Sequence, residues 1–138
     1  MPSRRGPSPH LTWDELACKD RMQTTYPLDW RETRGATLAK VFEAIRAAAG
    51  NRPLTVLSAY RTAEHNRRVG GAANSQHVQG RALDLAHEHL DGREFGDLIR
   101  TLAATRIPEI GGVGQYATFV HVDIRKRPHH GQIVTWEG

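Results

Sequence analysis

Residues 75–84 read SQHVQGRALD and mark the change from a loop to a strand. Gly80 disfavours a helix across this segment, so we expect His77 on the loop and Asp84 inside a short strand over residues 81–86. Because side chains alternate along a strand, Asp84 shares its face with small alanines, which leave space beside its carboxylate. An imidazole nitrogen and a carboxylate oxygen are both ligands that zinc accepts. The segment therefore predicts two metal ligands, with a surface histidine and a turn-capping aspartate as the alternative.

The composition indicates one folded domain with a basic surface. The chain has 138 residues, of which 38% are hydrophobic and 25% charged, and these proportions suit a packed core. Its formal net charge of +4 favours an anionic partner, such as nucleic acid, membrane headgroups or an acidic cell-wall polymer. The basic residues are interleaved with acidic ones, so we expect no nucleic-acid binding. We predict a flexible tail over residues 1–10, rich in Pro, Ser and Arg, and a single, monomeric domain over residues 11–138.

The cysteine content and the hydropathy pattern narrow the possible classes further. Cys18 is the only cysteine, so an internal disulfide is excluded and a metal site must use His, Asp or Glu. We expect Cys18 to be a small packed residue. No apolar run approaches the roughly 20 residues of a membrane span, so we expect no membrane-spanning helix. The first arginines are not followed by an apolar segment, and we therefore expect no signal peptide and synthesis in the cytoplasm.

Hydrophobic periodicity predicts a mixed succession of helices and strands. Leu38, Val41, Phe42 and Ile45 fall at helical spacing, for example, and Gly50 ends that helix. The expected helices cover residues 12–17, 34–49, 62–69 and 91–105, and the expected strands cover residues 54–58, 81–86, 119–124 and 132–136, with residues 111–114 as a strand or turn. The glycines in that last segment do not follow the G-x-G-x-x-G pattern, so we expect close backbone packing and no nucleotide site. This order predicts a small α+β domain whose mostly antiparallel sheet is flanked by helices.

The strand over residues 119–124 carries two ionisable side chains on one face. The sequence alternates cleanly, so that His121 and Asp123 project to the side opposite Val120 and Val122. Placing two such groups on one strand face is costly unless they are partnered or solvated. The pattern therefore predicts a third metal ligand at His121. Together with the pair on residues 75–84 it would give three protein ligands and an open position, which is the pattern of a catalytic zinc site.

Several motifs in sequence order resemble one known family. The segment from Ser75 to Asp84 matches S-x-H-x-x-G-x-A-x-D, the signature of the zinc D-Ala-D-Ala carboxypeptidase family, and residues 58–62, SAYRT, are similar to its S-x-Y-R-[ST] segment. That family also contains phage L-alanyl-D-glutamate endopeptidases, the vancomycin-resistance D,D-dipeptidase and the hedgehog signalling domain. The resemblance runs from about His10 to Trp136 and includes Asn66 and two glycines after it. Residues 111–136 resemble the branch of bacterial and phage peptidoglycan peptidases.

The resemblance implies a fold, an activity and a set of site residues. It implies one Zn²⁺ per chain, held by His77, Asp84 and His121, in a hedgehog/D-Ala-D-Ala peptidase-like fold. Arg61 matches the arginine that orients the substrate through its carboxylate or its scissile carbonyl, with a surface arginine at a turn as the alternative. Ser75 is expected to hydrogen-bond either the loop or the substrate. The implied reaction is hydrolysis of a peptide bond in peptidoglycan stem peptides or cross-links, as a carboxypeptidase or an endopeptidase. The protein would act on the cell wall after release, or be carried on a phage particle.

One position departs from the family pattern. Many members carry Glu or Asp as general base three residues before the last histidine ligand, where this chain has Thr118. We therefore predict Asp123 as the base, with orientation of a histidine ligand as its alternative role. His87, His89, His129 and His130 are expected to be solvent-exposed and to bind no metal. The departure also leaves open a zinc-stabilised domain of the same fold that binds without cleaving.

Overall fold

The computed structural model describes residues 5–128 and 131–138. Its helices are α1 Trp13–Leu16, α2 Ala36–Ala48, α3 Ala63–Arg68 and α4 Gly92–Thr105. Its strands are β1 Leu54–Ser58, β2 Ala82–His87, β3 Gly112–Gln115, β4 Val120–Asp123 and β5 Val134–Glu137. The sequence patterns predicted these elements with slightly different ends, except that β3 was left open as a strand or a turn. They did not predict a 3₁₀ turn, Leu28–Trp30, and a π-helical turn, Arg31–Gly35, which lead directly into α2.

The strands form one sheet in the order β1-β2-β4-β3-β5. The three pairs β1–β2, β2–β4 and β3–β4 are antiparallel, and β3–β5 is parallel. The predicted α+β class with a mostly antiparallel sheet is confirmed. Within residues 5–128 and 131–138, no helix combines the length and the apolar character needed to cross a membrane.

One face of the sheet builds the hydrophobic core with the two long helices. The inner strand residues belong to a single buried cluster with the apolar stripes of α2 and α4, and include Leu83, Leu85, Val113, Val120 and Val122. α4 begins at a capping box, in which Asp91 and Glu94 each accept a hydrogen bond from the other's backbone N–H. The strict alternation of β2 and β4 turns their remaining side chains to the opposite face. That face carries Asp84, His121 and Asp123.

Aromatic side chains hold the turn that leads into β2. Tyr26 is fully buried, and its hydroxyl donates to the Gly80 carbonyl over 2.5 Å. Trp30 and Tyr60 pack edge-on against Tyr26, with ring centroids 6.3 and 6.0 Å from it. Gly80 has φ +68°, and a Cβ there would lie 2.6 Å from Trp30 Cε3. The turn between His77 and β2 therefore requires glycine for both its backbone conformation and its packing.

Replacing Gly80 by alanine is expected to destabilise the fold by more than backbone strain alone. A non-glycine residue at positive φ costs on the order of 1–3 kcal/mol, and the clash with Trp30 adds to that cost. Gly50→Ala is the matched control, because Gly50 has φ +99° and no atom within 4 Å of a built Cβ. Urea denaturation of both variants measures the difference. A Gly80→Ala variant no less stable than Gly50→Ala would contradict this account of the turn.

Two predictions concern the N-terminal part of the chain. Within the predicted tail, the His10 backbone N–H and side-chain Nδ1 contact the Glu43 carboxylate at 2.9 and 2.8 Å. Flexibility of residues 1–10 stays a prediction, although His10 itself touches α2. Cys18 is buried, as expected, and its Sγ accepts a hydrogen bond from the Thr62 backbone N–H over 3.4 Å.

Candidate metal centre

Two strands and one loop bring three candidate ligands together. Asp84 on β2 lies directly opposite His121 on β4 in the antiparallel register, and His77 precedes β2 on the loop. One ligand atom from each of the three lies within 4.8 Å of the others. His77 Nε2 is 3.1 Å from Asp84 Oδ1, and His121 Nδ1 is 3.3 Å from the same oxygen. All three residues are buried, and we call them the triad.

In both histidines of the triad, a hydrogen bond on the far side of the imidazole ring determines which nitrogen faces Asp84. His77 Nδ1 contacts the Ala59 carbonyl at 2.7 Å, and His121 Nε2 contacts Asp123 Oδ2 at 2.7 Å. A carbonyl and a carboxylate only accept, so each of these nitrogens carries the proton of a neutral ring. His77 Nε2 and His121 Nδ1 are then left as acceptors facing the Asp84 carboxylate. Acceptors at such distances repel one another unless a proton or a cation lies between them. The site is therefore compatible with one metal ion.

The loop before β2 sets the position of His77. The His77 backbone N–H donates to Ser75 Oγ over 3.1 Å, and its carbonyl accepts from the backbone N–H groups of Arg61 and Gly80, each over 3.1 Å. Ser75 thus supports the loop, which is the first of the two roles expected for it, and it also lines the cleft above the triad.

The Asp123 carboxylate does not face the open side of the triad. It is fully buried, and its two oxygens accept from Arg125 Nε and Nη2 over 2.9 and 2.7 Å. Its Oδ2 also accepts from His121 Nε2, the ring nitrogen that points away from Asp84. The shared strand face was predicted correctly, but the geometric argument for Asp123 as a base fails, because the carboxylate lies behind His121. The arrangement favours the alternative role, orientation of a ligand.

Electrostatics keep both carboxylates ionised. Burial raises the pKa of Asp84, but the imidazoles of His121 and His77, in the protonated form that can donate to its carboxylate, outweigh burial and hold that pKa well below its usual value. Burial likewise raises the pKa of Asp123, whereas hydrogen bonds with His121 and Arg125 lower it to about 2. Burial lowers the pKa of His121, but its hydrogen bonds with Asp123 and Asp84 produce a net rise. The pocket thus stabilises positive charge between two carboxylates.

Arg61 is held at the edge of the triad by polar contacts. Its Nε donates to Ser58 Oγ and its Nη1 to Asn66 Oδ1, both over 3.2 Å, while Nη2 is 3.6 Å from Asp84 Oδ2. Asn66 is 2% exposed and donates through Nδ2 to the Ala72 carbonyl over 2.7 Å. Arg61 is therefore a positioned cleft residue and not a surface arginine at a turn. The sequence motif contained Asn66, but only the fold shows that it orients Arg61.

A cleft of about 510 Å³ opens above the triad. One side consists of Arg61 and the loop over residues 70–77, and the other carries Tyr116, Phe119, Arg125 and Trp136. Sequence reasoning did not assign Tyr116, Arg125 or Trp136 to the site, because their approach depends on the sheet order.

The remaining histidines are distributed as follows. His89 is exposed, as predicted. His87 is only half-buried and so departs from the prediction: its Nε2 donates to the Ala49 carbonyl over 2.9 Å, and its Nδ1 accepts from the backbone N–H groups of His89 and Leu90. His129 and His130 lie outside the described residues.

Comparison with known proteins agrees with this geometry. The profile of the family described as Peptidase M15 matches residues 9–123, a span that contains the whole triad, and the chain belongs to this peptidase family. A curated relative from Streptomyces albus G, named zinc D-Ala-D-Ala carboxypeptidase, is 46% identical over 43 residues. The aligned segment covers 31% of this chain and 17% of that relative. The family resemblance predicted from the motifs is confirmed.

Proposed function

We propose that this protein is a zinc-dependent peptidase that hydrolyses a peptide bond in the stem peptides or cross-links of peptidoglycan. The observation that carries the proposal is the convergence of three buried acceptor side chains at the base of an open cleft. Membership of the M15 family supports the reaction class, and the name of the Streptomyces relative supports both the metal and the kind of substrate. Such an enzyme would act at the cell wall, after release or from a phage particle.

We assign the metal ligands to the triad. His77 Nε2, an Asp84 oxygen and His121 Nδ1 would hold one zinc ion per chain, because two imidazoles and a carboxylate are a usual ligand set of catalytic zinc. The ring contacts to Ala59 and Asp123 preset both histidines for that task. When bound, zinc supplies Lewis-acid chemistry, since it polarises a carbonyl and activates water.

Arg61 is our candidate for binding the substrate. Its guanidinium lies beside Asp84 and faces the cleft, so it can orient a carboxylate or the scissile carbonyl oxygen. Its contacts with Ser58 and Asn66 restrict the side chain before substrate arrives, which lowers the entropy that binding would otherwise cost. Ser75 lines the same side of the cleft, and a substrate contact remains part of this proposal.

A second candidate function follows from the carboxylates of the cleft. Among the described residues that line it, Asp84 is the only carboxylate, and we assign that residue to the metal. Thr118, which occupies the family's base position, is exposed and does not line the cleft. These observations favour, as the alternative, a zinc-stabilised domain that binds peptidoglycan peptides without cleaving them.

Digestion of purified peptidoglycan tests the proposal. Three samples of the protein are incubated with peptidoglycan: protein as purified, protein treated with a chelator, and chelator-treated protein to which zinc is added back. The released fragments are identified by mass. We expect peptide fragments that disappear with the chelator and return with zinc. The fragment masses also identify the cut bond and so distinguish a carboxypeptidase from an endopeptidase.

Each other result has a definite meaning. Cleavage that survives complete metal removal would contradict the zinc assignment. Zinc-dependent cosedimentation with peptidoglycan that yields no fragments would support the binding domain instead of the peptidase. Heat-denatured protein serves as the control for fragments already present in the preparation.

A further inference from the structure

The loop that leads to β2 is fastened at both ends to the segment that carries Arg61. At the end near β2, the Arg61 backbone N–H donates to the His77 carbonyl over 3.1 Å. At the other end, Asn66 Nδ2 donates to the Ala72 carbonyl over 2.7 Å, and the Gly71 N–H donates to the Asn66 carbonyl over 2.8 Å. The loop and the segment after β1 are therefore held together as one unit along this side of the cleft.

Asn66 uses both ends of its side-chain amide in this connection. Its Nδ2 binds the Ala72 carbonyl on the loop, and its Oδ1 accepts from Arg61 Nη1 over 3.2 Å. The residue is buried, so losing either contact would leave a polar group without a partner away from water. The position of the loop thus determines how the amide is turned, and the amide determines where the guanidinium lies.

Gly71 lies directly against this amide. A Cβ at that position would overlap Asn66 Oδ1 and would lie 3.0 Å from Arg61 Nη1. Gly70 has φ +77°, whereas Gly71 has no positive φ. The backbone at residue 71 would therefore accept alanine, and what requires glycine there is the close approach to Asn66 and Arg61.

These contacts restrain the end of the Arg61 side chain. Ser58 Oγ accepts from Nε and Asn66 Oδ1 from Nη1, which leaves Nη2 as the nitrogen that lies 3.6 Å from Asp84 Oδ2. Without the Asn66 contact the guanidinium is free to rotate about its remaining anchor, and Nη2 loses its fixed position beside the triad. A displacement of about 1 Å at a reacting group can cost up to about a hundredfold in rate.

We propose that Asn66 and Gly71 are positioning residues for Arg61. The bare backbone of Gly71 lets the loop set the Asn66 amide, and the amide sets the guanidinium in the cleft. The proposal rests on the proposed function, because it requires Arg61 to contact the substrate. Asn66 does not line the cleft itself, so its effect on the substrate passes through Arg61.

A double-mutant cycle tests this role with zinc-loaded protein and soluble peptidoglycan fragments. We expect Gly71→Ala and Asn66→Ala each to lower kcat/KM by about tenfold, through one lost contact and a misplaced guanidinium. In the Arg61→Ala background each should lower kcat/KM by less than about twofold, because the group they position is gone. Ala73→Ser is the control, since it also adds one heavy atom to the loop but lies at an exposed position that does not line the cleft.

A binding measurement separates this proposal from the proposed function. If the wild type binds the fragments but cleaves none, the peptidase proposal fails, and the same cycle measured on the Kd by calorimetry still tests Asn66 and Gly71. Cleavage with additive losses has the opposite meaning, since the peptidase proposal stands and the positioning role fails. Circular dichroism and zinc content verify that the variants are folded. Gly71→Ala keeps the amide, so it gives the result even where Asn66→Ala folds poorly.

The proposal has clear contrary results. It is overturned if folded, zinc-loaded Gly71→Ala keeps kcat/KM within about twofold of the wild type. It is also overturned if the loss persists undiminished in the Arg61→Ala background, which would mean that the added methyl group obstructs the cleft directly. A wild type that neither binds nor cleaves the fragments would overturn both proposals.

Discussion

Replacing His77 by alanine is expected to remove bound zinc and, with it, hydrolysis of peptidoglycan. The substitution leaves Asp84 and His121 as the only members of the triad, and two protein ligands do not complete a catalytic zinc site. The affinity for zinc should fall by more than the roughly 10- to 100-fold that is lost when a residue hydrogen-bonded to a metal ligand is removed. Metal analysis of protein purified without added metal measures the zinc content directly.

Thermal unfolding gives a second measure of the same loss. A ligand that binds only the folded state at 100 times its Kd stabilises that state by about 2.7 kcal/mol. Zinc should therefore raise the unfolding temperature of the wild type and leave that of the chelator-treated His77→Ala variant unchanged. Equal zinc content and equal zinc-induced stabilisation in both proteins would show that His77 is not a ligand.

Arg61→Ala is the matched control for this experiment. Arg61 lines the same cleft and lies near the same carboxylate, yet it is not a proposed ligand. The variant should keep its zinc, while kcat/KM falls about 10- to 100-fold through loss of a charge-assisted contact worth roughly 1.5–3 kcal/mol. Unchanged kinetics would show that Arg61 only supports the turn after β1.

The triad could be predicted from sequence because each step depended on local information. Gly80 separates a loop from a strand, and alternation along β2 and β4 determines which side chains face away from the core. Asp84 and His121 then needed only an antiparallel register to become neighbours, and the structure has that register. The fold class followed from the same periodicities.

The role of Asp123 could not be predicted in this way. Alternation placed it on the same face as His121, which is correct, but it does not specify which ring nitrogen a neighbour contacts. Arg125, two residues further along the chain, donates to both carboxylate oxygens and completes an ion pair with the buried carboxylate. That contact depends on the path of the chain after β4, which hydrophobic periodicity does not predict.

The position of Trp136 in the cleft shows a second limit of sequence reasoning. A strand near Trp136 was predicted, but its parallel pairing with β3 depends on the path of the chain between β4 and β5. Only this pairing brings the indole to Gly114 and His121. The glycines were predicted to mark close packing, and the identity of the packed group required the sheet order.

Replacing Asp123 by asparagine is expected to weaken zinc binding about 10- to 100-fold while leaving the chemistry intact at saturating zinc. The amide can still accept from His121 Nε2–H, but it lacks the charge that fixes the ring and makes Nδ1 a better donor to the metal. Its loss should therefore raise the Kd for zinc, measured by competition with a chromophoric chelator. Asp29→Asn is the control, since Asp29 is exposed and does not line the cleft.

Saturating zinc separates the two roles considered for Asp123. A residue that orients His121 acts through metal occupancy, so excess zinc should restore kcat to within about tenfold of the wild type. A general base accepts a proton during the reaction, and its removal costs about 10²- to 10⁴-fold whatever the occupancy. The buried contacts with Arg125 and with the far side of His121 lead us to expect restoration. A variant with wild-type zinc affinity and kcat reduced more than a hundredfold at saturating zinc would instead assign the base to Asp123.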